Sequence, residues 1–152
     1  VRVIFSEFWM LFGRRKRIVK RILIVEDEPL TAFDTETMLV DFGYEVVATL
    51  DDFDEALEKL DREVVHLVIA DVRLHGEDLG IELARNARVK GVPTLLATGH
   101  DPPPPTSHAL GCLRKPYTER LLKQALDSVD RHLQGEAVKP PKGLELYAID
   151  VA

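Results

Sequence analysis

"RILIVEDEPLTAFDTETMLVDFGYEVVATL", residues 21–50, decides the fold. It begins "RILIVE", a β-branched run ending in acids, which reads as a buried strand. Pro29 suits a first helical turn, where a missing N–H is no loss. The helix predicted through "LTAFDTETMLVDF" stops at Gly43, a C-terminal breaker. "YEVVATL" reads as a second strand. A helix between two strands makes a crossover unit, and such units join parallel strands.

The pattern continues outward. Asp51 or Asp52 can cap a helix over "FDEALEKLDR". "HLVIAD" reads as the third strand, and "DLGIELARNARV" with Gly91 as the next helix and its stop. "PTLLAT" is the fourth strand and "GCLRK" a candidate fifth. "TERLLKQALDSVDRHL" closes with Leu121, Leu122, Ala125, Leu126, Val129 and Leu133 on one helical face. The expectation is an α/β domain with a doubly wound, five-stranded parallel sheet and helices on both faces.

One stretch departs from this rhythm. Where a helix should join strands four and five, residues 102–105 are four prolines. Proline rings clash with a preceding helical turn, and each residue before a proline is pushed out of the α region. Asp101–Pro104 is therefore expected to be extended. A helix can begin only at Pro105 or later, and Gly111 soon ends it. The fourth helix is expected to be shortened or absent.

Composition narrows the function. Of 152 residues, 45% are hydrophobic and 30% charged, as in a globular domain. Cys112 is the only cysteine, so no internal disulfide can form, which fits a reducing, cytoplasmic setting. Seven of the 20 basic residues lie in residues 1–21, with one of the 26 acids. The rest is strongly acidic, which argues against nucleic acid as a partner. The apolar run of the arm "VRVIFSEFWMLFGRRKRIVK" is too short to span a bilayer, and the charges follow it, the wrong order for a secretory signal. Residues 1–20 read as an extension, in preference to a membrane-surface arm.

The candidate site lies at strand ends, because crevices in parallel sheets open beyond the carboxyl ends of the strands. Glu26-Asp27 end strand one, Asp71 strand three, Thr98 strand four and Lys115 the fifth segment. Singly, each has a plain reading as a cap, a turn residue or a surface charge. Jointly, clustered carboxylates favour a hard divalent cation such as Mg²⁺. Asp71 is then a candidate nucleophile for a phosphoryl group, with Lys115 and Thr98 stabilising its charge.

The motifs "ILIVEDEP", "LVIADVRLHGEDLG", "LLATG" and "LRKPY", with 44 residues from Asp27 to Asp71, resemble the receiver domain of bacterial two-component response regulators over residues 20–134. The resemblance implies a flavodoxin-like sheet of order 2-1-3-4-5. It implies Asp71 as phosphoacceptor, with Glu26, Asp27, Asp71 and the backbone carbonyl of Arg73 holding Mg²⁺. Thr98 matches the switch hydroxyl, Lys115 the lysine that pairs with the phosphoryl group, and Pro116 a position where the family often has a cis peptide. The implied role is a stand-alone, monomeric phosphoreceiver served by a sensor histidine kinase or phosphotransfer protein. The resemblance implies a signalling phosphoacceptor and not an enzyme, with output through protein contacts or as a phosphate sink. The alternative is a phosphorylation-independent binding module on the same fold.

"VPTLLATGHD" also resembles a narrower group of single-domain receivers with a Phe-Ala-Thr-Gly-X-Tyr motif and a reduced fourth helix. The match rests on Ala97-Thr98-Gly99, with Leu96 and Asp101 departing from it. Two further departures are Arg73, long and basic, and Cys112, which stands where the family has its switch aromatic. His66, His75, His100, His108 and His132 read as surface or packing residues. Residues 135–152 read as a Gly/Pro-rich tail that is mobile in preference to adding a strand.

Overall fold

The computed structural model describes residues 16–148. The residues up to 15 of the basic arm, and 149–152 of the tail, lie outside the described residues. Five strands are parallel: β1 Arg21–Val25, β2 Glu45–Leu50, β3 Leu67–Asp71, β4 Thr94–Thr98 and β5 Gly111–Arg114. Four α-helices connect or close them: α1 Pro29–Asp41, α2 Phe53–Arg62, α3 Leu79–Val89 and α4 Glu119–Leu133. The sequence signals act as expected: Pro29 opens α1, Asp52 accepts the Glu55 N–H to cap α2, and Gly43 turns the chain at φ +92°. Thr118 caps α4 through the Leu121 N–H.

The expected five-stranded sheet is in fact six-stranded, in the order β2-β1-β3-β4-β5-β6. The sixth strand, β6 Leu144–Leu146, comes from the tail read as mobile and runs antiparallel to β5. The periodicity of three residues is too short a signal to show this. What makes it possible is β5 itself, which would otherwise expose an unpaired edge.

The helices divide between the faces. On one, Leu39 of α1 and Leu122, Ala125, Leu126 and Val129 of α4 pack on Ile22, Ile24, Leu67 and Leu95. On the other, Ala56 and Leu60 of α2 and Leu83, Ala84 and Ala87 of α3 pack on Leu23, Val68 and Leu96. Burying one such aliphatic side chain contributes about 1.5–3 kcal/mol, so these two layers supply the main driving force.

Between β4 and β5 the chain forms one 3₁₀ turn, Pro105–Ser107, entered through extended Pro104 at ψ 154°. No α-helix covers this part of the sheet. Its place beside Leu96, Ala109 and Cys112 is taken by Tyr147, the residue after β6, which is 8% exposed.

The packed body also reaches further back than residue 21. Val19 is buried in the core, and the Asp130 carboxylate of α4 accepts the N–H groups of Ile18 and Val19 at 2.9 and 2.8 Å. Asp130 is itself buried, so it holds the lead-in to β1 from the far end of the chain. Asp130→Ala leaves two backbone donors without their acceptor. The expected loss is about 1–3 kcal/mol, measurable as a lower urea midpoint with an unchanged slope.

Candidate functional site

The parallel strands bring their carboxyl ends to one rim. β1 ends at Val25, so Glu26 and Asp27 follow directly, and β3 ends on Asp71 itself. Asp71 pairs in register with Ala97, placing Thr98 one residue beyond, and Thr98 pairs with Arg114, placing Lys115 one residue beyond that. The Lys115 N–H donates to the Thr98 carbonyl at 2.8 Å, which carries the ladder one step past β5.

The side chains converge as these registers require. Lys115 Nζ donates to Asp71 Oδ2 at 3.1 Å and pairs closely with Glu26 Oε1. Carboxylate oxygens of Glu26, Asp27 and Asp71 lie within 4.8 Å of one another. The loop after β3 wraps this cluster: the Arg73 N–H donates to Asp71 Oδ1 at 3.2 Å, and the His75 N–H to Asp27 Oδ2 at 2.8 Å. Thr98 is buried, and its Oγ1 accepts the His100 N–H at 3.0 Å.

Gly80 explains how closely the loop folds. A Cβ there would sit 1.9 Å from the Asp71 carbonyl oxygen, so the start of α3 can cross the backbone of the site only because residue 80 has no side chain. His75 adopts φ +52°, a left-handed conformation, at the tip of the same loop. The sequence offered no signal for the His75 backbone contact, which depends on this turn.

Three carboxylates face one ammonium group, so negative charge is in excess. Burial pushes the Glu26 carboxyl up to about 7, the Asp71 hydrogen bond adds to this, and Lys115 opposes it. Burial works against the Lys115 charge, but Glu26 and Asp71 outweigh it and raise its pKa. An all-oxygen set carrying surplus negative charge fits a hard divalent cation such as Mg²⁺, which relieves the repulsion.

The other sequence candidates are placed as follows. The Arg73 guanidinium turns to its own loop, bonding the Gly76 carbonyl at 3.1 Å and approaching Asp78 at 3.5 Å. The Lys115–Pro116 peptide is cis. Cys112 is buried, and burial raises its thiol to about 11. Among the histidines, His66 Nδ1 accepts the Lys20 and Arg21 N–H groups, and His132 Nε2 meets the Tyr147 carbonyl. The Thr35–Tyr117 hydroxyl pair at 2.6 Å, beside the site, had no visible sequence signal.

Comparisons with known proteins point to one family. Residues 22–127 match the model of the response regulator receiver domain family. The sensory transduction protein LytR of Staphylococcus haemolyticus is 30% identical over 119 residues, covering 74% of this chain and 46% of LytR. The chain spans less than half the length of the curated relatives it matches. Among solved structures, the chemotaxis response regulator CheY4 of Vibrio cholerae is 28% identical with a TM-score of 0.66, over 73% of this chain and 98% of that one. The receiver domain of a sensor histidine kinase from Pseudomonas aeruginosa, with a magnesium ion coordinated in its active site cleft, is 25% identical with a TM-score of 0.63. It matches over 72% of this chain and 95% of that one.

The charge excess has a measurable consequence. Below the ordinary carboxyl value of 4.5, Glu26 is protonated folded or unfolded. Between 4.5 and about 7 the unfolded chain releases a proton that the fold retains, so stability falls as pH rises. Above about 7 the loss is complete. In EDTA, melting temperature should therefore decline across this window by more than in Glu26→Gln, and Mg²⁺ should reverse the difference.

Proposed function

The chain belongs to the response regulator receiver family, and from that premise we propose that this receiver takes a phosphoryl group on Asp71. The observation that carries the proposal is Lys115, whose ammonium joins Glu26 and Asp71 across two strand ends beside buried Thr98. The donor is a sensor histidine kinase or a phosphotransfer protein. One Asp71 carboxylate oxygen attacks phosphorus, forming the P–O bond. The N–P bond of the phosphohistidine breaks, and its electron pair leaves with the imidazole nitrogen.

The chain's own groups prepare this step. The Arg73 N–H on Oδ1 and Lys115 on Oδ2 fix the acceptor carboxylate. Lys115 then pairs with a phosphoryl oxygen, and the Thr98 hydroxyl turns to donate to another. Glu26, Asp27, Asp71 and the Arg73 carbonyl would hold Mg²⁺, which supplies neutralisation of phosphoryl charge. Leu30 and Phe33, 75% and 64% exposed on α1, give a phosphodonor an apolar footing near the site.

The single 3₁₀ turn after Thr98 supports placing the chain with receivers of the Phe-Ala-Thr-Gly-X-Tyr kind. It also supports a monomer whose output is made by contacts of the receiver itself, or by draining phosphate, because the helix that many receivers use in dimers is missing. The second reading is a phosphorylation-independent binding module. Cys112 favours it, since a buried thiol replaces the aromatic that family members rotate.

Incubation with acetyl phosphate and Mg²⁺ separates the two. Intact mass should show one phosphoryl adduct, lost in Asp71→Asn and formed more slowly in Lys115→Ala. An unmodified wild-type chain, with kinase transfer also absent, would leave the binding module as the reading that stands.

A further inference from the structure

We propose that residues 143–147 are a latch on the β5 edge, released when Thr98 engages a phosphoryl group. The inference rests on the phosphoreceiver reading and assigns the tail a part in its output.

The latch is tied at four points. Arg114 of β5 donates its N–H to the Gly143 carbonyl at 2.8 Å, and Tyr147 donates its N–H to the Leu110 carbonyl at 2.9 Å. His132 of α4 meets the Tyr147 carbonyl at 2.7 Å. The buried Tyr147 hydroxyl donates to the Pro103 carbonyl at 3.1 Å. That last bond joins the tail directly to the segment that follows Thr98.

The β5 edge is shaped for this occupant. A Cβ at Gly111 would lie 2.2 Å from the Glu145 carbonyl oxygen, and its next nearest neighbours are both atoms of Leu146. The absent side chain therefore makes room for the tail. Tyr147 then fills the face that the missing helix leaves over Leu96, Ala109 and Cys112.

The prolines provide the linkage. Thr98 Oγ1 accepts the His100 N–H, which fixes the turn at the start of the segment. Rotating the Thr98 side chain towards Asp71 carries Oγ1 away from the His100 N–H and so displaces the turn at Gly99. Pro102–Pro104 have fixed φ angles, so displacement passed on through His100 and Asp101 reaches the Pro103 carbonyl along a stiff, extended segment. A cavity of about 110 Å³, lined by Thr98, His100, Pro102, Cys112, Leu144 and Glu145, lies between the two parts and gives them room to move. The resting segment is also incompletely satisfied, since the buried Ser107 hydroxyl has no hydrogen-bond partner. A three-residue edge strand is the kind of element that opens locally at low cost.

Amide exchange on the full ¹⁵N-labelled chain, with and without beryllofluoride and Mg²⁺, tests the latch. The Arg114 and Tyr147 amides report the tail, Val68 the central sheet, and Arg73 occupation of Asp71. With the mimic, Arg73 should shift, and exchange at Arg114 and Tyr147 should quicken by about tenfold, the equivalent of one net hydrogen bond. Val68 should not change. Gly111→Ala should show the fast rates without the mimic while Arg73 still responds to it. Tyr147→Phe, which keeps the ring, should raise the Tyr147-site amide rate on its own with Val68 still protected. A shifted Arg73 with Arg114 and Tyr147 as protected as before overturns the latch alone. An unmoved Arg73 overturns the phosphoreceiver reading and the latch with it.

Discussion

The structure turns on one electrostatic constraint: Glu26, Asp27 and Asp71 are held together at one rim with Lys115 as their only close ammonium among the described residues. Like charges at such spacing repel, and the body of the fold supplies what keeps them there. The β1–β3–β4–β5 registers fix the backbones. The loop after β3 adds two N–H donors, and Gly80 lets α3 press against the Asp71 carbonyl. The surplus negative charge that results suits a hard divalent cation.

The second constraint is the missing helix. Four prolines remove the backbone donors and conformations an α-helix needs. An α/β sheet left bare on one side would expose apolar surface, here around Leu96, Ala109 and Cys112. The chain covers it with its tail: β6 satisfies the β5 edge, and Tyr147 covers the face. One aromatic residue and a three-residue strand do the work of a helix, and they do it with contacts that reach Pro103 and so the neighbourhood of Thr98.

The departures at Cys112 and Arg73 fit this arrangement. Cys112 is small and lies beneath Tyr147's part of the core, where a large ring on β5 would compete with the tail for space. Arg73 directs its charge to Gly76 and Asp78, stabilising the loop that carries the His75 and Arg73 amides. Its backbone, more than its guanidinium, belongs to the site.

The alternation of strands and helices was legible because it depends on local periodicity and on punctuation such as Pro29, Gly43 and Asp52. So was the convergence of Glu26, Asp27, Asp71, Thr98 and Lys115, because parallel strands must end on one rim, and so was the loss of the helix after Thr98, because proline geometry acts within its own segment. Three things needed the tertiary structure. The tail's strand has no periodicity of its own and exists because β5 has an open edge and Gly111 leaves it room. The Asp130 contact joins residues more than a hundred positions apart, through a carboxylate that reads in sequence as one more helix-surface acid. Tyr147's contact with Pro103 arises where two irregular segments meet. Local sequence determines local backbone and the order in which strand ends arrive. Pairings between distant segments follow from which edges and faces the folded sheet leaves uncovered.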